Sequence, residues 1–344
     1  MIKPKHILLI RLSAMGDVAM SVPVIRAFII QNPGVKITVL SRAFLKPLFD
    51  HFPNVDFYSA DVDGKHKGVT GLFKLSKELK ALNIDAVADI HNVLRSKILR
   101  FFLSLSGINL SVIDKGRSAK RELTRKENKI FKQLRSTHER YADVFRELGF
   151  KIDLSDPIFP DKKILNNKAV NLIGKEKKKL IGIAPFAQYE SKMYPLDLME
   201  KVIRSLSKNN NNKILLFGGG IKEIDILQSL EKQFENTISL AGKVKLAEEL
   251  SIISHLDCML SMDSANAHLA AMQGIKILSL WGVTHPFTGF YPFHQPIEYA
   301  LLPDLKKYPD IPCSIYGNKV CKGYENVMRT ISPEAITELI NRTI

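Results

Sequence analysis

The sequence predicts an α/β protein made of two doubly wound parallel sheets. Short β-branched runs alternate with longer segments whose apolar residues recur every three or four positions, and after a polar stretch at 166–179 that alternation begins again. Parallel strands need long crossovers, which helices supply, so such alternation implies helices on both faces of a parallel sheet. Length agrees: 344 residues exceed what one core usually organises, and two Rossmann-like domains are expected at 1–165 and 180–330. The stretch 166–179 reads as the linker and 331–344 as a terminal helix.

The elements follow in order. Strands are expected at 7–10, 36–40, 55–58, 86–89 and 110–113, with helices at 18–30, 72–82 and 94–105. A helix at 139–148, stopped by Gly149, closes the first half. The second half repeats the scheme, with strands at 180–184, 213–217, 237–240, 258–261 and 275–280. Its helices fall at 196–206, 221–234, 246–254 and 265–273. Beyond Trp281 the chain is irregular and rich in proline and aromatics through Tyr324, and a last helix at 333–341 takes Ser332 as its cap.

Composition narrows the function. No run of about 18 apolar residues exists, which excludes a spanning helix, and four apolar residues before Arg11 do not make a cleavable signal. The three cysteines are too few for a stapled secreted scaffold, so a cytoplasmic protein is expected, with Cys313 and Cys321 as free loop thiols. The excess of 50 Lys and Arg over 35 Asp and Glu gives a net charge of +15, which favours an anionic partner. Ten of these cations lie in 115–140 against three glutamates. Aromatics for base stacking are nearly absent there, so nucleic acid is not the expected partner.

In open α/β sheets ligands bind beyond the carboxyl ends of the strands. The first such loop, Arg11-Leu-Ser-Ala-Met15-Gly16-Asp17, has one glycine and so lacks the glycine bed of a dinucleotide site. Asp17 at the helix start suits a cap, a carboxylate that accepts backbone N–H groups and is favoured by the helix dipole. Ser191 and Lys192 precede Pro195 at the next helix start, where an ammonium and free backbone N–H groups suit a phosphate. Gly218, Gly219 and Gly220 allow close backbone approach, with Glu223 about one turn on. Asp263 and Ser264 are placed to cap a helix that begins with the small residues Ala265 and Ala267 and carries His268 one turn later.

Together these segments resemble the heptosyltransferases, the family that adds heptose from an ADP-linked donor to the lipopolysaccharide inner core. The likeness rests on Ile10-Arg-Leu-Ser-Ala-Met-Gly-Asp17 with Pro23, Asp89-Ile-His-Asn-Val-Leu-Arg95-Ser96, Ser191-Lys192-x-Tyr-Pro195, the glycine run with Glu223, and Asp263-Ser-Ala-Asn-Ala-His268. The resemblance implies a GT-B architecture, two Rossmann-like domains facing a central cleft, with the acceptor on the first and the nucleotide sugar on the second. It implies Asp17 as general base. Ser191, Lys192, Gly219, Glu223, Asp263, Ser264, Ala265 and His268 would bind the donor, and Met15, Gly16, Arg95 and Ser96 the acceptor. No metal or cofactor is expected: the reaction is an inverting transfer to an anionic glycolipid at the cytoplasmic face of the inner membrane.

Rival readings remain. Asp61-Val-Asp63 resembles the acidic pair of metal-dependent glycosyltransferases, but beside Gly64 and Lys65 it reads better as a solvated turn. A transferase of this fold with another nucleotide-sugar donor, a nucleotide-sugar epimerase, and a non-catalytic binder of anionic surfaces built around 115–140 are the alternatives.

Overall fold

The computed structural model describes residues 3–344. The chain divides into two compact domains. One runs through Lys115 and resumes over Thr137–Ile158, and the other joins Gly116–Ser136 to Phe159–Ile344. The division therefore comes at 158 rather than 165, and most of the basic stretch belongs to the second domain.

In chain order the elements are β1 (His6–Ile10), α1 (Met15–Gln31), β2 (Lys36–Ser41), β3 (Val55–Ser59), α2 (Gly68–Lys80), β4 (Ala86–Asp89), α3 (Leu94–Ser104) and β5 (Asn109–Val112). Next come α4 (Arg117–Thr124), which belongs to the second domain, and α5 (Thr137–Glu147), which returns to the first. The first sheet is wholly parallel in the order β3-β2-β1-β4-β5. Leu8, Ile10, Leu40 and Val87 are solvent-free in its core, as expected of strands covered on both faces. On one side α1 packs on α5, and Phe28 stacks on Phe145 with centroids 4.4 Å apart.

The second domain contains α6 (Asn167–Ile173), β6 (Lys179–Ala184), α7 (Leu196–Ser207), β7 (Asn212–Leu216), α8 (Ile221–Gln233) and β8 (Thr237–Ser239). It continues with α9 (Leu246–Ile253), β9 (Cys258–Met262), α10 (Ala265–Ala271), β10 (Lys276–Leu280), β11 (Ala300–Leu301) and α11 (Pro333–Thr343). Its sheet runs β11-β10-β9-β6-β7-β8, also parallel. The expected linker holds a helix, α6, whose start is capped by Asn166 accepting the Ala169 N–H at 2.8 Å. Ser332 caps α11 in the same way, through the Ala335 N–H at 3.1 Å.

Both sheets reverse strand order beside their first strand, at β1/β4 and at β6/β9. At such a reversal the loops leaving the two strands turn to opposite faces and open a crevice. The loops after β1, β4, β6 and β9 carry most of the residues singled out in the sequence.

One expectation is corrected. Cys313 and Cys321 are joined by a disulfide, not free: the loop turns back at Gly317, whose φ is +83°, and brings their Cα atoms to 5.8 Å. Cys258 is free and buried in β9. Among the described residues no helix is long and apolar enough to cross a membrane.

Candidate active site

In the first domain the site is organised by Arg11, which leaves β1 almost fully buried. Its Nη1 donates to the Ile90 carbonyl at 2.7 Å, and its Nη2 meets Asp17 Oδ2 at 2.5 Å. The guanidinium lies 5.9 Å from the Tyr141 ring centroid, and the Tyr141 hydroxyl donates to the Asp17 carbonyl at 3.3 Å. Asp17 is the third residue of α1, and its Oδ2 accepts the Ala14 N–H at a long 3.4 Å. The capping role expected of it is therefore present but minor beside the ion pair. Both contacts fall on Oδ2, leaving Oδ1 without a protein partner among the described residues.

The loop after β4 is shaped by the buried Asp89. Its Oδ1 accepts the N–H groups of His91 and Asn92, both at 2.8 Å, while its Oδ2 faces Arg100 Nε at 2.9 Å. Asn92 takes a left-handed φ of +45° and ties the loop to β5 through the Ile113 carbonyl at 3.1 Å. His91 is buried there with its Nδ1 unpartnered, and burial, then the nearby Arg11 and Lys115 charges, push its pKa down to about 3. It is therefore a neutral imidazole.

In the second domain Lys192 ends a short 3-10 turn before α7. Its Nζ sits 3.1 Å from Asp263 Oδ2, which also accepts the Thr284 hydroxyl at 3.0 Å. Ser191 donates to the Gly317 carbonyl at 2.5 Å, and a Cβ at Gly317 would lie 2.6 Å from the Lys192 stem. A Cβ at Gly282 would collide with the Ser191 carbonyl. Two glycines thus let the chain close tightly around the Ser191–Lys192 turn. Glu223 folds back so that its Oε2 accepts the Gly219 N–H at 2.7 Å.

Not every expected residue behaves as read. Asp263 does not cap α10, because its carboxylate is taken by Lys192 and Thr284. Ser264 holds the cap position without a side-chain cap bond, its hydroxyl lying 3.2 Å from that of Ser261. Ala265 is the first residue of α10, and His268 is buried one turn on. Ser96 is fully buried and caps α3, accepting the Val93 N–H at 3.0 Å, so its hydroxyl does not face an acceptor. Arg95 is half-exposed at the head of α3, and Met15 and Gly16 begin α1. The Asp61–Asp63 pair is split. Asp61 accepts the N–H groups of Gly64 and Lys65 at 3.0 and 2.8 Å, whereas Asp63 faces Arg42 at 3.2 Å and Arg95 at 3.8 Å.

Sequence reasoning does not single out Arg11, His91, Thr284 or Gly317. Arg11 and His91 lie within segments that carry the family resemblance, and Thr284 follows the end of β10 as other site residues follow their strands. Gly317 lies far along an irregular loop, where no local pattern marks it.

Comparison with known proteins follows the same geometry. The model of glycosyltransferase family 9 (heptosyltransferase) matches residues 72–312. The lipopolysaccharide core heptosyltransferase OpsX of Haemophilus influenzae is 25% identical, covering 86% of this chain and 82% of its own. Among solved structures, a family 9 glycosyl transferase of Veillonella parvula superposes with a TM-score of 0.75 at 20% identity, covering 98% and 97% of the two chains. The Escherichia coli heptosyltransferase WaaC with ADP-2-deoxy-2-fluoro heptose does so at 0.69 and 16%, covering 98% and 100%. Two parallel Rossmann-like sheets, each with polar loops at its strand-order reversal, are the GT-B fold, and the chain belongs to glycosyltransferase family 9, the heptosyltransferases.

Proposed function

We propose that the protein transfers heptose from ADP-heptose to a sugar hydroxyl of a lipopolysaccharide-core acceptor, with inversion and without a metal ion, at the cytoplasmic face of the inner membrane. The observation that carries this reading is the state of Asp17. A sugar hydroxyl is too weak an acid to attack unaided and needs a carboxylate to receive its proton. Arg11 holds Oδ2 and leaves Oδ1 open, which is how a base is oriented without being used up.

As the acceptor oxygen bonds to the anomeric carbon, its proton passes to Asp17 and the bond from that carbon to the diphosphate oxygen breaks. Attack opposite the leaving group inverts the centre. The departing ADP carries new negative charge, which Lys192 neutralises from a preset position. Glu223 and Gly219 suit the ribose side, and Ser191, Ser264, Ala265 and His268 the remainder of the donor. Arg95, with Met15 and Gly16, suits a phosphorylated acceptor. The ligand in the WaaC structure, an ADP-heptose analogue, supports the choice of donor.

The test combines Asp17→Asn with ADP-heptose. Turnover should fall about a hundredfold or more, while thermal stabilisation by the donor persists. Chelator should leave wild-type turnover unchanged, and the product should carry the inverted anomer. Near-normal turnover of Asp17→Asn, or loss of activity in chelator, would overturn the mechanism; stabilisation by a different nucleotide sugar alone would overturn the donor.

A further inference from the structure

Helices α2 and α3 of the first domain pack side by side, and their outer faces are not those of a surface left to water. On α2, Val69 and Phe73 share a stripe at i and i+4, and Leu94 and Phe101 of α3 share one at i and i+7 that continues to Leu105 at its C-cap. These side chains are open to solvent: Leu94 is 73% exposed, Leu105 68%, Phe101 60% and Val69 58%. The stripes are joined by aromatic contacts. Phe73 meets Phe102 edge-on with centroids 5.2 Å apart, and Phe102 meets Phe101 at 5.7 Å. A continuous apolar band of this kind is uncommon on a monomer and marks an interaction surface.

Charge identifies the partner. Lys67, Lys74, Lys77 and Lys97 are exposed on or beside the band, and Lys77 Nζ stands 4.6 Å from the Phe73 centroid. The acids do not balance them. Glu78 is the one acidic residue of the two helices, and it turns away to Lys65, His66 and Tyr58 at 2.7, 3.1 and 2.6 Å. Pairing two copies of this face would bring lysines against lysines, which opposes self-association. Aromatics amid unpaired lysines match a bilayer interface, where rings enter the headgroup layer and ammonium groups meet lipid phosphates.

We propose that the α2–α3 face docks the protein on the surface of an anionic phospholipid bilayer. This rests on the reading that the acceptor is lipid-anchored, and it places a surface contact beside the acceptor loop, because α3 begins directly after the residues that follow β4. The basic stretch in 116–136, the more obvious electrostatic candidate, is partly consumed within its own domain. Lys120 lies over the Phe290 ring at 4.4 Å, Lys129 donates to the Asp310 carbonyl at 2.5 Å, and Phe131 packs on His285 and Phe287.

The experiment is flotation of the full chain with vesicles of phosphatidylethanolamine and phosphatidylglycerol in equal parts, and with phosphatidylcholine vesicles. The wild type should bind the anionic vesicles in a salt-sensitive way and the neutral ones weakly. Phe73→Glu/Phe101→Glu should lower the anionic affinity about tenfold or more, and Lys77→Glu/Lys97→Glu should do so with both rings intact. Both variants should keep the wild-type melting temperature and kcat on a deacylated, water-soluble acceptor, with a raised KM only when the acceptor sits in vesicles. Wild-type vesicle affinity in both variants would overturn the proposal. So would loss of binding only in Arg125→Glu/Lys132→Glu, or a dimer in light scattering that the Phe variant dissolves. Absence of transferase activity in a wild type that still binds vesicles would count against the donor and acceptor assignment instead.

Discussion

Lys192 is held in place before any donor arrives, by a carboxylate that is itself held. Asp263 is almost buried and accepts from both Lys192 and Thr284, so the ammonium is fixed by a hydrogen bond to a carboxylate that a second bond holds, instead of searching from a flexible stem. Charge-assisted bonds of this kind contribute about 1.5–3 kcal/mol, and the Thr284 bond bears on the ammonium only through Asp263. Lys192→Ala should accordingly weaken ADP binding about ten- to a hundredfold, and Thr284→Val only roughly fivefold, in isothermal titration below the melting temperature. Equal losses in the two variants would mean that the hydroxyl touches the nucleotide directly. The polar character of this site was legible in the sequence because Ser191, Lys192 and Asp263 follow strand ends. The division of labour was not: Asp263 reads as a helix cap when only its neighbours are seen, and its real partner stands 71 residues away.

At the scale of elements, hydrophobic periodicity located the long strands and helices to within a few residues, because buried parallel strands and amphipathic helices write their burial into spacing. Three elements escaped it. Strand β11 has two residues and α6 has seven, too short to show a period. Helix α4 carries so many charges that it reads as solvated, yet Leu123 and Lys120 are buried. The loop through Gly317 escaped for another reason, since it is positioned by contacts remote in sequence. Gly317→Ala tests that positioning. An alanine there must adopt a left-handed φ and also displace the Lys192 stem from 2.6 Å, which should cost about 1–2 kcal/mol of stability. It should also weaken ADP binding at least about threefold, whereas Gly34→Ala, also left-handed at φ +88° but with open space around it, should reproduce only the strain. Unchanged ADP affinity in Gly317→Ala would show that the loop does not set the lysine.

For the whole molecule, two buried histidines and a largely covered glutamate shape how stability depends on pH. His91 in the first domain is pushed down to about 3, chiefly by burial, and His285 in the second to about 4 for the same reason. Unfolding restores both to their ordinary value near 6.5, so the unfolded chain binds more protons than the folded one below that value, and stability falls as pH drops through the window. Glu249 on α9 acts in the opposite direction. Burial raises its carboxyl to about 7, so its favourable share is complete below the unfolded value near 4.5 and is lost as pH rises through 7. With two histidines opposing one carboxyl below 6.5 and the carboxyl alone above it, the melting temperature should peak close to neutrality. The ionised Glu249 costs about 3 kcal/mol at pH 8, which is several degrees for a domain of this size. Glu249→Gln should recover most of that at pH 8 and little at pH 5, in thermal melts of the full chain at the two values. A gain of equal size at both would mean that the substitution improves packing and that Glu249 carries no proton-linked penalty.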